Sequence, residues 1–74
     1  MSYKVNVIIE KDAHGYFAYS PELEGCHSQG DSYEDAIANI REAVELYLET
    51  LTDDERSQYL SREILTTTLE VNLA

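Results

Sequence analysis

The stretch Gly30-Asp31-Ser32-Tyr33-Glu34-Asp35-Ala36-Ile37-Ala38-Asn39-Ile40 decides how this chain folds, because its hydrophobic period changes there. Upstream, apolar residues recur at every second position; downstream, they recur three and four apart. Ser32 has the short hydroxyl that caps a helix N-terminus, and Asp35 three residues on approximates the acidic partner of a capping box. Glu34 and Asp35 also set negative charge at the positive end of the helix dipole. From there Ile37, Ile40, Val44, Tyr47, Leu48 and Leu51 share one stripe, with Ala36 and Ala43 as small neighbours. Glu42, Glu45 and Glu49 fall largely on the outer side. The spacing predicts an amphipathic helix of about five turns, lying on one face of a sheet.

Before this stretch the pattern is that of strands. Tyr3 to Lys11 alternates, with Tyr3, Val5, Val7 and Ile9 on one face and Lys4, Asn6, Ile8 and Glu10 on the other. Asp12-Ala13-His14-Gly15 is turn chemistry, and Tyr16 to Ser20 reads as the second arm of a hairpin. Pro21 ends that arm because it has no N–H for a ladder. Cys26 to Gln29 follows as a short third strand. Beyond the long helix, Thr52-Asp53-Asp54-Glu55 is a second cap signature that starts a short helix through about Leu60. Leu65 to Leu73 then alternates again, Thr67, Leu69, Val71 and Leu73 inward against Thr66, Thr68, Glu70 and Asn72 outward.

The expected fold class is therefore α+β: a two-layer β-β-β-α-(α)-β domain over residues 1–74, with one mixed sheet and its helices on one face. The last strand would lie parallel to the first through a right-handed crossover. The other face of the sheet would have no internal cover. Ile8 points there, joined by either the Tyr16/Ala18 row or the Phe17/Tyr19 row according to hairpin register. An apolar face left open predicts an interface, and a small one-sided sheet predicts a homodimer or higher homo-oligomer.

Seventy-four residues leave room for one domain. Ten net negative charges and a pI near 4.3 repel phosphate, so direct nucleic-acid binding is not expected and a basic protein partner is. A single cysteine, Cys26, excludes an internal disulfide. The start of the chain shows no apolar run of a leader peptide, and Val7-Ile8-Ile9 is far short of a membrane span, so the expected location is cytoplasmic.

Catalytic patterns fail one by one, and no catalytic residue, metal site or cofactor is expected. Cys26 and His27 are neighbours on a strand and point to opposite faces, so they cannot share a proton. His14 and His27 lack metal-ligand spacing. Glu10, Asp12, Asp31, Glu34 and Asp35 could gather near strand ends as a nuclease metal site, and turn, cap and helix-dipole roles account for them better. Tyr16, Phe17, Tyr19, Glu22 and His27, on or beside the second and third strands, are the candidate partner contacts. Pro21, Leu23, Gly25, Gly30 and Ser32 are the candidate shaping residues.

Gly15-Tyr16, then Pro21-x-Leu23-x-Gly25-Cys26, then Gly30-Asp31-Ser32 with Asp35-Ala36 and the helix to Glu49, together resemble the HicB antitoxin family. The resemblance implies a core similar to a partial ribonuclease H-like fold without its nuclease site. It also implies a function: HicB-type proteins bind and neutralise HicA toxins, small basic proteins that cleave messenger RNA. Many members carry a C-terminal DNA-binding part that has no counterpart here, so operator binding is not expected. The alternative expectation is an orphan homo-oligomeric binding or regulatory module without a toxin, and a metal-dependent nuclease stands third.

Overall fold

A computed structural model describes residues 2–74. Strand β1 (Ile8–Asp12) turns through Ala13-His14 into β2 (Gly15–Tyr19), and β3 (His27–Gly30) follows. Helix α1 (Tyr33–Glu49) and the shorter α2 (Asp53–Tyr59) complete the regular structure. The order across the sheet is β1-β2-β3, all antiparallel. Asp12 holds the turn by accepting the His14 backbone N–H at 2.7 Å. Ile8 then pairs with Tyr19, Ile9 with Ala18 and Glu10 with Phe17, and this two-residue connection fixes the register.

That register settles which row is bare. Ile9, Ala18 and Ser28 stand in line toward α1, and Ala18 is fully buried. One position on, Ile8, Tyr19 and His27 align on the opposite face, as do Glu10, Phe17 and Gln29. The Phe17/Tyr19 row therefore joins Ile8, and Tyr16 lies with the core.

Helix α1 starts as its sequence predicts: the Ser32 hydroxyl accepts the Asp35 N–H at 3.0 Å. It packs on β3 and β2 and buries Ala36, Ile40 and Val44 against Ala18, Leu23 and Cys26. The approach is close at Gly30, where a Cβ would come within 2.5 Å of the Ala36 nitrogen. Asn39 of α1 also donates its side-chain amide to the Gln29 carbonyl at 2.7 Å. The full reciprocal capping box stands at α2, between Thr52 and Glu55. Arg56 secures α2 to the body: its Nε donates to the Leu48 carbonyl at 2.8 Å and its guanidinium lies 5.8 Å from the Tyr3 ring.

The α+β class holds, with helices on one face of one sheet, and its likeness to a ribonuclease H core is loose. Two expectations need correction. β1 begins at Ile8 rather than Tyr3. Pro21 would stand opposite Asn6 but has no N–H to donate to the Asn6 carbonyl, so the ladder stops there, and the Asn6 N–H donates to the Glu22 carboxylate. Val5 and Val7 nonetheless pack on the core. The second correction is larger. Residues 65–73 form no strand of this sheet, which is purely antiparallel rather than mixed. The segment runs outside it with Leu65, Leu69, Val71 and Leu73 all 70–90% exposed. A period-two pattern specifies an amphipathic strand but says nothing of the edge it pairs with, since that contact is distant in sequence.

Candidate functional site

The bare face of the sheet brings together three of the five candidate contacts. Phe17 sits at its centre, 5.8 Å from the Tyr19 ring and 5.6 Å from the His27 ring, both tilted arrangements. β2 supplies Phe17 and Tyr19 two residues apart, and β3 supplies His27 directly across from Tyr19. Phe17 keeps 40% of its surface in water, an unusual placement for a phenylalanine among aromatic neighbours. Ile8 extends the apolar strip along β1, and Glu10 and Gln29 flank Phe17 on either side. Gln29 lacked any sequence signal for this role; only the pairing Phe17↔Gln29 reveals it.

The other two candidates are elsewhere. Tyr16 belongs to the α1 side, packed on the core, with the Lys11 ammonium 5.5 Å from its ring. Glu22 is 5% exposed, its carboxylate turned inward to Asn6. A buried glutamate looks like a surface one in sequence, because its partner is a backbone amide 16 residues away.

The shaping residues lie in the β2–β3 loop and at the junction of β3 with α1. Leu23 is fully buried beneath the β2–β3 loop, which is closed by Ser20 N–H to Cys26 carbonyl and Cys26 N–H to Leu23 carbonyl bonds, both 3.0 Å. Pro21 offers its carbonyl to Arg62 at 2.9 Å. Gly25 takes a φ of +79° in the same loop. Ser32 and Gly30 join β3 to α1 as described.

For chemistry, the arrangement offers a surface. The Cys26 thiol is buried, and burial pushes its pKa up from the ordinary 9.0, which opposes the thiolate a nucleophile needs. His27 lies on the far side of the sheet from it. Glu10, Asp12 and Asp31 line one shallow depression beside Phe17, but among the described residues no three His, Cys, Asp or Glu side chains are grouped to hold a metal ion. No helix among those residues is long and apolar enough to cross a membrane.

Comparison with known proteins adds the following. A family model described as the HicB-like antitoxin of bacterial toxin-antitoxin systems matches residues 3–71. A UPF0150 protein of Helicobacter pylori (strain J99) is 56% identical over 59 residues, covering 80% of this chain and 81% of the relative. UPF0150 protein ssr1765 of Synechocystis is 56% identical over 50 residues, 66% and 63% of the two chains. A UPF0150 protein of Archaeoglobus fulgidus is 35% identical over 63 residues, 84% and 91% of the two. No solved structure matches.

Proposed function

Because the chain belongs to the HicB-like antitoxin family, we propose that it binds a small basic HicA-type mRNA-cleaving toxin and neutralises it, with no catalysis of its own. The observation that carries the proposal is the bare strip Ile8–Phe17–Tyr19–His27 on a body of net charge −10. An aromatic anchor in the middle of a patch is the usual energetic centre of a protein interface. The acidic field around it speeds encounter with a cationic partner and disfavours anionic ones, messenger RNA included. Phe17, Tyr19 and His27 are the contacts, with Glu10 beside them to meet a basic side chain. Binding here neutralises by covering the toxin's RNA-cleaving surface. The chain acts in the cytoplasm, where messenger RNA is cleaved.

Co-expression with the product of an adjacent small basic reading frame tests this. Restored growth and a co-purifying complex are expected. Growth arrest that persists, with no complex, overturns it.

A second property is favoured by a separate observation, the exposed apolar C-terminal segment: the protein self-associates. If no toxin exists, self-association is what remains, as the orphan reading requires.

A further inference from the structure

Residues 65–74 form an arm with the chemistry of a strand, outside every helix and strand of the molecule and exposed throughout. Leu65, Leu69, Val71 and Leu73 share one parity and are among the most exposed large apolar residues. The arm's root is fixed at one end of the sheet, where Arg62 donates to the Pro21 carbonyl. Ten residues in strand conformation reach about 33 Å.

The same molecule carries a matching vacancy. β1 is an edge strand, and an edge presents unpaired N–H and C=O groups to any strand that comes alongside. The β3 edge differs, because the Gln29 carbonyl is already occupied by the Asn39 amide. Beside the β1 edge, between its N-terminal approach and α1, runs an open groove of about 340 Å³. Val5 and Val7 line one wall, Ile37, Val44 and Leu48 the other, with Arg41 and Glu45 among them. Arg41 has no ion pair among the described residues.

We propose that the arm of a second copy of this chain fills that groove, adding a strand to the β1 edge, and that the exchange is reciprocal. Three features select this occupant. The arm and groove agree in character, a period-two aliphatic row against an aliphatic trough. They agree in charge. Copies of net charge −10 repel, yet residues 64–74 carry one charged side chain, Glu70, which an alternating strand turns away from the groove, and the groove's own charges, Arg41 and Glu45, offset one another. They also agree in parity: with the leucines turned to α1, Thr66, Thr68, Glu70 and Asn72 extend the far face as a polar margin. Exchange of one element between identical chains is an economical route to a closed dimer. It specifies the self-association proposed above and does not depend on a toxin, because the Phe17 face stays uncovered.

Sedimentation and cross-linking of the full chain test it. Wild type is expected at twice 8.4 kDa, and Leu69→Asp with Val71→Asp at the monomer mass with an unchanged helical circular-dichroism spectrum. One chain carrying Cys26→Ser and Val71→Cys is then mixed with another carrying Cys26→Ser and Arg41→Cys. Mild oxidation is expected to yield a disulfide-linked dimer containing both chains. Wild type sedimenting as a monomer overturns the proposal, as does a dimer that survives both aspartates. So does placing both cysteines in one chain and finding only an internally linked monomer, which would mean the arm folds onto its own edge. A toxin complex that persists in the monomeric variant separates the two proposals.

Discussion

Glu22 Oε1 accepts the backbone N–H of Asn6 at 2.7 Å, in a position only 5% exposed. The carboxylate thereby satisfies the Asn6 N–H where the ladder ends, and it holds the approach to β1 against the β2–β3 loop. Glu22→Ala leaves a peptide N–H without its acceptor and is expected to cost about 1–3 kcal/mol. Glu22→Gln keeps an acceptor oxygen of the same reach and should cost less. Urea unfolding of the two variants checks the order; equal losses would mean the bond contributes little.

Gly30 and Gly25 are predicted to respond to alanine for different reasons. At Gly30 the new methyl meets the backbone of Ala36 and Asp35 at 2.5 and 2.8 Å and the Asp35 Cβ at 2.9 Å, so α1 must lift from β3, an overpacking cost of about 1–3 kcal/mol. At Gly25 nothing lies within 4 Å, and the cost is that of a left-handed φ, about 1–2 kcal/mol. Gly25→Asn should therefore recover much of its loss, whereas Gly30→Asn should not. Thermal unfolding of the four variants distinguishes the two mechanisms.

Stability should fall at alkaline pH in a manner that depends on Cys26. Burial raises the folded thiol above its ordinary 9.0. Below that value both states keep the proton and the thiol's contribution is fully present. As pH rises past it the unfolded chain ionises first, and the contribution is lost until the folded value is passed. Urea midpoints measured between about pH 7.5 and pH 10 should drop more for wild type than for Cys26→Ala. Parallel curves would sink the prediction.

Thr52→Ala removes half of the reciprocal box at α2 and is expected to cost about 1 kcal/mol. Because Arg56 joins α2 to Leu48, the loss should appear as faster hydrogen exchange over residues 52–60 while α1 stays protected.

Phe17→Ser takes away a ring that contributes about 1 kcal/mol through its two aromatic neighbours. It should leave the fold intact and abolish co-purification with the toxin. Tyr16→Ser, one residue away on the α1 side, should do the reverse: a lower unfolding midpoint with binding retained in the folded fraction.

How far the sequence could be read depended on the range of each interaction. Helix α1 was legible because Ser32, Glu34, Asp35 and the Ile37–Ile40–Val44 stripe are local signals that agree. The hairpin was legible as a hairpin, but its bare row followed only from the pairing of Asp12 with Gly15. Glu22 was misjudged, since nothing near it in sequence announces Asn6. The arm showed its strand character plainly in Leu69, Val71 and Leu73, yet not its partner. Of the bare face, Phe17, Tyr19 and His27 could be named as candidates from their positions on strands, and Gln29 could not.

The Asn39 amide on the Gln29 carbonyl has one more consequence. A flat, short sheet with two unguarded margins could stack copy upon copy into fibres, the hazard of every small β-rich chain. Stoppering one margin with a helix side chain leaves a single place for growth. If the arms exchange as proposed, assembly ends after one addition, and a crowded cell holds discrete particles instead of an endless filament.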